Sequence, residues 1–562
     1  MMQPTSGQLA IRDAGELGLL VLAPAGCGKT EALALRVAGL AAHGHILAPR
    51  KVLVATFTNR ARDNIRERLR THVRPDDFRN LVTVQNFHGL AARIFRAHAN
   101  VIGMDPEMTM PDRDWVGDQC RARGLSYGAS DEVQGALRRA KQEARHDDEV
   151  LAVLAQDRIA CAIEKIRRQQ HRLTYDDLLR CAELILANET IASLYRNHFA
   201  CVVVDEFQDL TPQQLRIVQR FGYGRTTYAG DMAQGIYGFA GAAPAHVKAN
   251  IEAEVTRTVK LTESHRSSPA VLAMVNALRH LTEGQALSCA QPHAWPGDGV
   301  AALVSFSTAV DEARAALAVA RYIHARASNQ RIAVIARSKN RRRFIDELTT
   351  DATDIACYRW DDPAFDTQTA PFLRRALRRV TVTSFAAASD RLAYLWDIAQ
   401  GQDVQDPYTR ECLVDALAWA ADLLTEGASP TAVAARITVG DGDTLLTKPG
   451  LHLLTGHVGK GQQFDWVIII GLEDGCLPDF RASSASELAE ETRVLSVMIS
   501  RARHGVVLSS AQEVPDLSGR VREREPSPLL AHFSAVDVCK DREGLIQWLK
   551  TVDWDAIAGK TG

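Results

Sequence analysis

The 562-residue sequence has no CxxC pair and no Cys/His group at metal-ligand spacing; its ten cysteines lie far apart. That excludes a zinc ribbon or finger read from local motifs and points to reduced thiols rather than a disulfide framework. No apolar run reaches about eighteen residues, so nothing reads as a transmembrane helix. The opening MMQPTSGQLAIRD lacks the basic segment and apolar core of a signal peptide, so the expected location is cytoplasmic, with no membrane partner. No low-complexity tract or short-period repeat interrupts the chain. Nor is there an excess of charge: the formal net value is -2. That argues against a surface coated in basic residues and confines any nucleic-acid contact to a groove lined by local clusters.

What is present is the composition of an ordered globular protein, 46% hydrophobic and 24% charged, long enough for several cores. Four basic clusters stand out: Arg60, Arg62, Arg66, Arg68 and Arg70; Lys165, Arg167, Arg168 and Arg172; Arg337 with Arg341 to Arg343; and Arg374, Arg375, Arg378 and Arg379. Each alone reads as a solvated helix face. From residue 16 the pattern runs ELGLLVLA (strand), KTEALALRVAGLAAHG (helix), KVLVATF (strand), the alternation of a parallel α/β sheet. Residues 97–172 change to charged helical segments, read as an insertion. The strand ACVVVDEF and then RTTYAGD return to the sheet. A second α/β unit begins with GVAALVSF and RIAVIAR, is interrupted by a mixed insertion over 346–448, and resumes with LHLLTGH, DWVIIIGL and GVVLSS. The expected boundaries are 1–96, 97–172 and 173–290 for the first domain and its insertion, and 291–345, 346–448 and 449–562 for the second. The tail REGLIQWLKTVDWDAI reads as an amphipathic helix packed on its own protein.

The chemistry sits at strand ends. The stretch 21-VLAPAGCGKTEAL-33 is almost a phosphate-binding loop, but Ala23 stands where the strict pattern has glycine. Gly26 and Gly28 before Lys29 and Thr30 would let backbone N–H groups face phosphate oxygens; Lys29 would neutralise the β and γ phosphates and Thr30 offer its hydroxyl to Mg²⁺. In 202-VVVDEFQD-209 an apolar strand delivers two adjacent carboxylates to its end. Asp205 would hold Mg²⁺ through water and Glu206 orient and deprotonate the water that attacks the γ phosphate. Together these point to a nucleoside triphosphatase.

The further motifs 56-TFTNRA-61, 86-NFHGLA-91, 230-GDMAQGIYGFAGA-242, 264-SHRS-267, 455-TGHVGKGQQFD-465 and 490-EETRVLSVMISRA-502 follow in order. With them the chain resembles the UvrD, Rep and PcrA group of superfamily 1 DNA helicases, in which the loop commonly begins with Ala. The resemblance implies two RecA-like P-loop core domains, each α/β with a mainly helical insertion, and ATP as substrate with Mg²⁺. It implies an ATP site made of Gln8, Ala25, Gly26, Cys27, Gly28, Lys29, Thr30, Glu31, His265, Gly461 and Gln463. Lys29, Asp205, Glu206, Gln234 and the arginine fingers Arg266 and Arg501 would be catalytic, Arg501 reaching in from the other core domain, and Thr30 and Asp205 would bind the metal. A track for single-stranded DNA, or for a single-strand/duplex junction, would include Phe57, Thr58, Asn59, Phe87, His88, Phe239, Arg343, Thr455 and His457. For each Phe the alternative is a core role.

The sequence departs from the family at Glu31 and His265, where an Arg and a Tyr usually sandwich the adenine, so the base loses its cation. Gln463 replaces a Glu, and Ala240 and Ala336 replace DNA-contacting residues, for which Arg341 to Arg343 would compensate. The second insertion is about half the family's length. The implied function is a 3′-to-5′ DNA translocase and helicase. The alternative is a nucleotide-dependent DNA-sensing subunit with a protein partner such as a nuclease, a reading suggested by a resemblance in size and architecture to the helicase-like subunit of the Gabija antiphage system.

Overall fold

The computed structural model describes residues 3–111, 115–350, 354–365, 369–399, 407–439, 447–458, 460–516, 518–537 and 539–560. The chain divides into two compact units, Met1–Thr262 and Glu263–Gly562.

In the first unit, α1 (Ser6–Arg12) starts with a reciprocal cap: Thr5 Oγ1 accepts from Gln8 N, and Gln8 Oε1 accepts from Thr5 N. There follow β1 (Leu19–Leu22), α2 (Lys29–Ala42), β2 (Lys51–Thr56), α3 (Asn59–His72), β3 (Val82–Asn86) and α4 (Phe87–His98). Helices α5 (Trp115–Arg121), α6 (Tyr127–Lys141), α7 (Asp147–Val153) and α8 (Arg158–Gln169) fall in the span read as a helical insertion and share a small core around Val133, Leu137 and Ile163. Then come α9 (Tyr175–Ala187), β4 (Phe199–Asp205), α10 (Pro212–Gly222), β5 (Thr226–Gly230), α11 (Pro244–Glu254) and β6 (Thr258–Lys260). The sheet order is β3-β2-β4-β5-β1-β6, every pairing parallel. All seven residues of β4 are buried, as its unbroken apolar run requires of a strand covered on both faces. Because β4, β5 and β1 are neighbours, the loops leaving their carboxyl ends lie side by side, where open parallel sheets bind ligands.

One member of the second basic cluster is turned inward, while Lys165 stays exposed and Arg168 and Arg172 are half-buried. Arg167 is fully buried and pairs with Glu164 (2.7 Å), while Lys141 reaches Glu164 (2.8 Å) and Asp177 (2.9 Å), and Arg180 reaches Asp177 (2.9 Å). Those charges join α6 and α8 to α9.

The second unit begins earlier than the sequence suggested. Residues 263–290 were assigned to the first domain, yet β7 (Glu263–Ser264) and α12 (Pro269–Ala277) belong to the second. The cause is hydrogen bonding: Ser267 Oγ donates to the Ala502 carbonyl (2.6 Å) and Ser268 N to that of Arg503 (2.8 Å). After β8 (Ser288–Cys289), which pairs with β7, come β9 (Val300–Thr308), α13 (Ala309–His324), β10 (Arg331–Ala336), α14 (Lys339–Thr349) and β11 (Cys357–Arg359). β12 (Ala364–Phe365) and β13 (Thr438–Val439) bracket α15 (Thr369–Arg379), α16 (Arg391–Ala399) and α17 (Pro407–Thr425), which have their own core around Leu373, Leu395 and Leu417. The main sheet resumes with β14 (Gly450–Thr455), β15 (Phe464–Ile469), α18 (Ala485–Ser500), β16 (Ala502–Pro515), β17 (Val521–Glu523) and β18 (Cys539–Lys540). Its order is β11-β14-β10-β15-β16-β9-β18, parallel throughout, with β17 antiparallel to β16. The tail folds back as α19 (Arg542–Thr551) and α20 (Trp554–Ala558), whose Leu545, Leu549 and Ile557 join this sheet's core, as the amphipathic pattern required. No helix among the described residues is long and apolar enough to cross a membrane.

Three histidines of this unit are held neutral. His452 Nδ1 accepts from Trp360 Nε1 (3.0 Å), leaving Nε2–H to donate to the Lys448 carbonyl (2.9 Å). His504 stacks on Trp466, and His457 faces Arg337. Burial first, and cationic neighbours second for His457, push all three down to about 4; for His504 burial leads and Asp465 partly opposes it. The unfolded chain takes up these protons near pH 6.5, the folded unit only near pH 4. Stability is therefore full above about pH 6.5 and falls as the pH drops from there towards 4, by on the order of 1 kcal/mol per histidine per pH unit. Thermal unfolding followed from pH 7.5 to 5 should show the transition of this unit shifting downward; a transition independent of pH over that range would refute the assignment.

Candidate active site: a phosphate loop facing two carboxylates

The loop between β1 and α2 explains how Ala23 is tolerated. Ala23 N donates to the Gly230 carbonyl (2.9 Å), so this residue still extends the strand and needs no unusual backbone. The turn is made further on, where Gly26 and Gly28 have φ of 86° and 74°. A Cβ on Gly28 would come within 2.4 Å of Gln8 Nε2, which donates to the Gly28 carbonyl (3.3 Å). Gln8 is thus pinned against the loop. Gly28 caps α2, whose first N–H groups, at Lys29, Thr30 and Glu31, face the loop without carbonyl partners one turn back. Ala25 lines the loop half-buried and Cys27 is buried.

Lys29 Nζ lies 3.2 Å from Asp205 Oδ1 and in contact with Glu206 Oε2. Burial pulls the ammonium's pKa down, but Asp205 and then Glu206 outweigh it, and the net direction is upward: Lys29 stays charged. Burial raises the Asp205 carboxyl, against the pull of Lys29. Glu206 sits at φ 57°, a left-handed backbone that costs a non-glycine residue about 1 kcal/mol or more and recurs at functional sites. A hydroxyl at Thr30 and a carboxylate at Asp205 suit Mg²⁺, which takes few protein oxygens and completes its octahedron with phosphates and water.

Gln208 and Asp231, the second of them at the end of the neighbouring strand β5, complete the cluster. Gln208 Nε2 donates to Glu206 Oε2 (2.7 Å), and Gln208 Oε1 accepts from Asp231 N (3.0 Å). Asp231 Oδ2 accepts from Gln234 Nε2 (2.8 Å). The strings DEFQD and GDMAQ contained them; only the adjacency of β4 and β5 shows that they meet.

On the base side of the loop, Glu31 is not merely a lost cation. Its carboxylate bonds His72 Nε2 (2.5 Å) and lies 3.8 Å from Arg68 Nη1, both on α3. The side chain at 31 is thus tied to α3.

In the second unit Arg266 and Arg501 occur together, whereas the sequence reading put Arg266 in the first domain. Gln463 Oε1 accepts from Arg266 Nη2 (2.7 Å) and Nε (2.5 Å) in the amide orientation that satisfies both side chains. Arg501 is buried and donates to the carbonyls of Val458 (2.7 Å) and Gly456 (2.8 Å). His265 is half-buried, and Gly461, at φ 83°, is exposed in the same loop as Gln463.

The expected nucleic-acid residues divide. Phe57 is half-exposed and packs against Phe87 with ring centroids 5.4 Å apart, but Phe87 is 2% exposed in the core. It has no face to offer a base; the amphipathic pattern of α4 turns it inward. Thr58 Oγ1 caps α3 by accepting from Ala61 N (3.0 Å). His88 packs edge-on against Tyr175, and burial lowers its pKa, Asp176 opposing. Thr455 ends β14, and His457 Nδ1 meets Arg337, which is paired with Glu491 (2.6 Å). The side chains of Asn59 and Phe239 lie outside the described residues. The arginine run does not compensate as expected. Arg341 is buried against Glu473 (2.8 Å) and Glu312, Arg342 against Asp361 (2.8 Å) and Asp346 (3.0 Å), and Arg343 is turned onto the carbonyls of Pro515 and Asp516.

Two α/β units, one with a phosphate loop whose lysine is held by two carboxylates, define a P-loop nucleoside triphosphatase with RecA-like domains. Residues 5–253 match the model of the UvrD/REP helicase N-terminal domain and residues 432–513 that of the UvrD-like helicase C-terminal domain. Both matches are to helicase domains of the UvrD type, and the chain is a UvrD-like, helicase-type ATPase. It is similar to the ATP-dependent DNA helicase UvrD2 of Mycobacterium tuberculosis, 28% identical over 557 residues that take in 91% of this chain and 78% of that protein. UvrD1 of Mycobacterium leprae is 24% identical over 650 residues, covering 91% of this chain and 82% of its own. PcrA of Leuconostoc citreum is 28% identical over 278 residues, 46% of this chain and 37% of its own.

Proposed function

We propose that the protein is an ATP-driven translocase on single-stranded DNA that separates duplex strands as it moves, in the 3′-to-5′ direction. The observation that carries this is Lys29 held between Asp205 and Glu206 at the carboxyl ends of β1 and β4. Lys29 would turn from the carboxylates to the β and γ phosphates, freeing Glu206 to accept a proton from the attacking water. Mg²⁺ held by Thr30 and Asp205 would neutralise phosphate charge. Gln8 would read the adenine and Gln234 the γ phosphate, while Arg266 and Arg501 from the second unit would stabilise the charge that develops in hydrolysis. Single-stranded DNA would stack on Phe57 and Phe239, with Thr58, Asn59, Thr455 and His457 along the backbone.

ATP hydrolysis measured without nucleic acid and with single-stranded DNA, duplex and RNA tests the reading. The expected result is stimulation of at least about tenfold by single-stranded DNA, falling as salt rises because the groove releases counterions. Forked substrates with a 3′ tail should be unwound and those with a 5′ tail left intact. Hydrolysis indifferent to DNA would overturn the motor and favour a DNA-sensing subunit of a larger assembly.

A further inference from the structure

Between the candidate general base and the loop after β5 there is one continuous run of hydrogen bonds, through side chains and the Asp231 backbone N–H. Glu206 Oε2 accepts from Gln208 Nε2 (2.7 Å); Gln208 Oε1 accepts from Asp231 N (3.0 Å); Asp231 Oδ2 accepts from Gln234 Nε2 (2.8 Å), and Asp231 Oδ1 from Ala233 N (3.0 Å). Gln208 is fully buried, and both ends of its amide are used. Its path is built into the backbone: a Cβ on Gly230 would lie 2.3 Å from Gln208 Oε1 and 2.6 Å from Phe207 Cδ1, so residue 230 must lack one. A buried amide with a donor on one loop and an acceptor on the other cannot tilt without breaking one of the two bonds. Glu206, on its left-handed backbone, has no regular secondary structure to hold its carboxylate.

We infer that Gln208 is a positioning residue for hydrolysis: it sets the Glu206 carboxylate through its amide N–H and makes that setting depend on the loop that carries Asp231 and Gln234. Movement of that loop then reaches the general base through one side chain. The inference rests on the hydrolytic role proposed above for Glu206.

The test is a double-mutant cycle on single-stranded-DNA-stimulated ATPase with Gln208→Met, which fills the same space without the amide, and Glu206→Gln. Gln208→Met alone should lower kcat about tenfold or more while the KM for ATP stays within about threefold, because the ground-state nucleotide does not need the base set. In the Glu206→Gln background the same substitution should have almost no further effect, since there is no base left to position. Binding of a non-hydrolysable ATP analogue and the unfolding temperature are measured alongside. Equal losses from Gln208→Met in both backgrounds, or a kcat loss matched by a rise in KM, would mean that Gln208 only packs the loops and would overturn the inference. Gln208→Glu provides a second variant that keeps the polar shape: it places a carboxylate where the donor was and should lower kcat further still, whereas wild-type turnover would refute the positioning role. A wild-type protein without ATPase activity would sink the proposed function itself, a different outcome from a wild type that hydrolyses ATP and a Gln208→Met variant that equals it.

Discussion

Lys29→Ala should abolish hydrolysis and destabilise the first unit in the same step. Turnover is expected to fall by at least about a hundredfold, the usual effect of removing a preorganised charge from the site of phosphoryl transfer. The loss of stability has a separate cause. Lys29 is the cation that compensates Asp205 and Glu206, of which Asp205 is buried. Leaving a buried charge without its partner costs roughly 3 kcal/mol, which for a unit of this size lowers the unfolding temperature by roughly 6–12 °C. Glu206→Gln separates the two effects, since Lys29 keeps Asp205: hydrolysis should fall comparably while the unfolding temperature moves little. Calorimetry beside an ATPase assay decides it. Turnover in Lys29→Ala within threefold of wild type would remove Lys29 from the chemistry.

Arg266→Ala is expected to lower DNA-stimulated kcat by about a thousandfold, the lower end of what arginine fingers contribute. The contact with Gln463 gives the prediction a second arm. An amide at 2.5–2.7 Å orients the guanidinium without bringing a counter-charge of its own, whereas a carboxylate there would add one. Gln463→Glu should thus lower kcat by about tenfold with a smaller change in the KM for ATP. Turnover equal to or faster than wild type in Gln463→Glu would show that the uncharged amide at 463 is not what sets the action of Arg266.

Much of this was legible in the sequence because it depends on short spacing. The β1 loop, the β4 carboxylates and the order of strands and helices follow from apolar runs, glycines and turn chemistry within a few residues of one another. Even the imperfect loop was readable in its family context, and the structure supplies the reason: residue 23 remains in the strand, and the turn falls at Gly26 and Gly28. The tail's amphipathic pattern led correctly to a helix on the second core.

What failed was everything set by partners distant along the chain. Arg167, Arg341 and Arg342 read as basic surface because a run of arginines looks the same whether solvated or paired; their acidic partners come from other elements. That Glu31 contacts His72 and Arg68 was not legible either, because both arrive from α3. Phe87 read as a possible base platform until its ring was found inside the first core. The boundary at 290 moved to 262 because Ser267 and Ser268 are anchored by carbonyls of β16. By itself, then, the sequence determined the strands, the phosphate loop and the pair of carboxylates at the end of β4, since local backbone preference and side-chain period act over a few residues. The tertiary structure alone decided which charges meet, which aromatic is buried and how Gln208 ties two loops together. Sheet order brings groups from remote parts of the chain within hydrogen-bond distance, and no local pattern encodes that order.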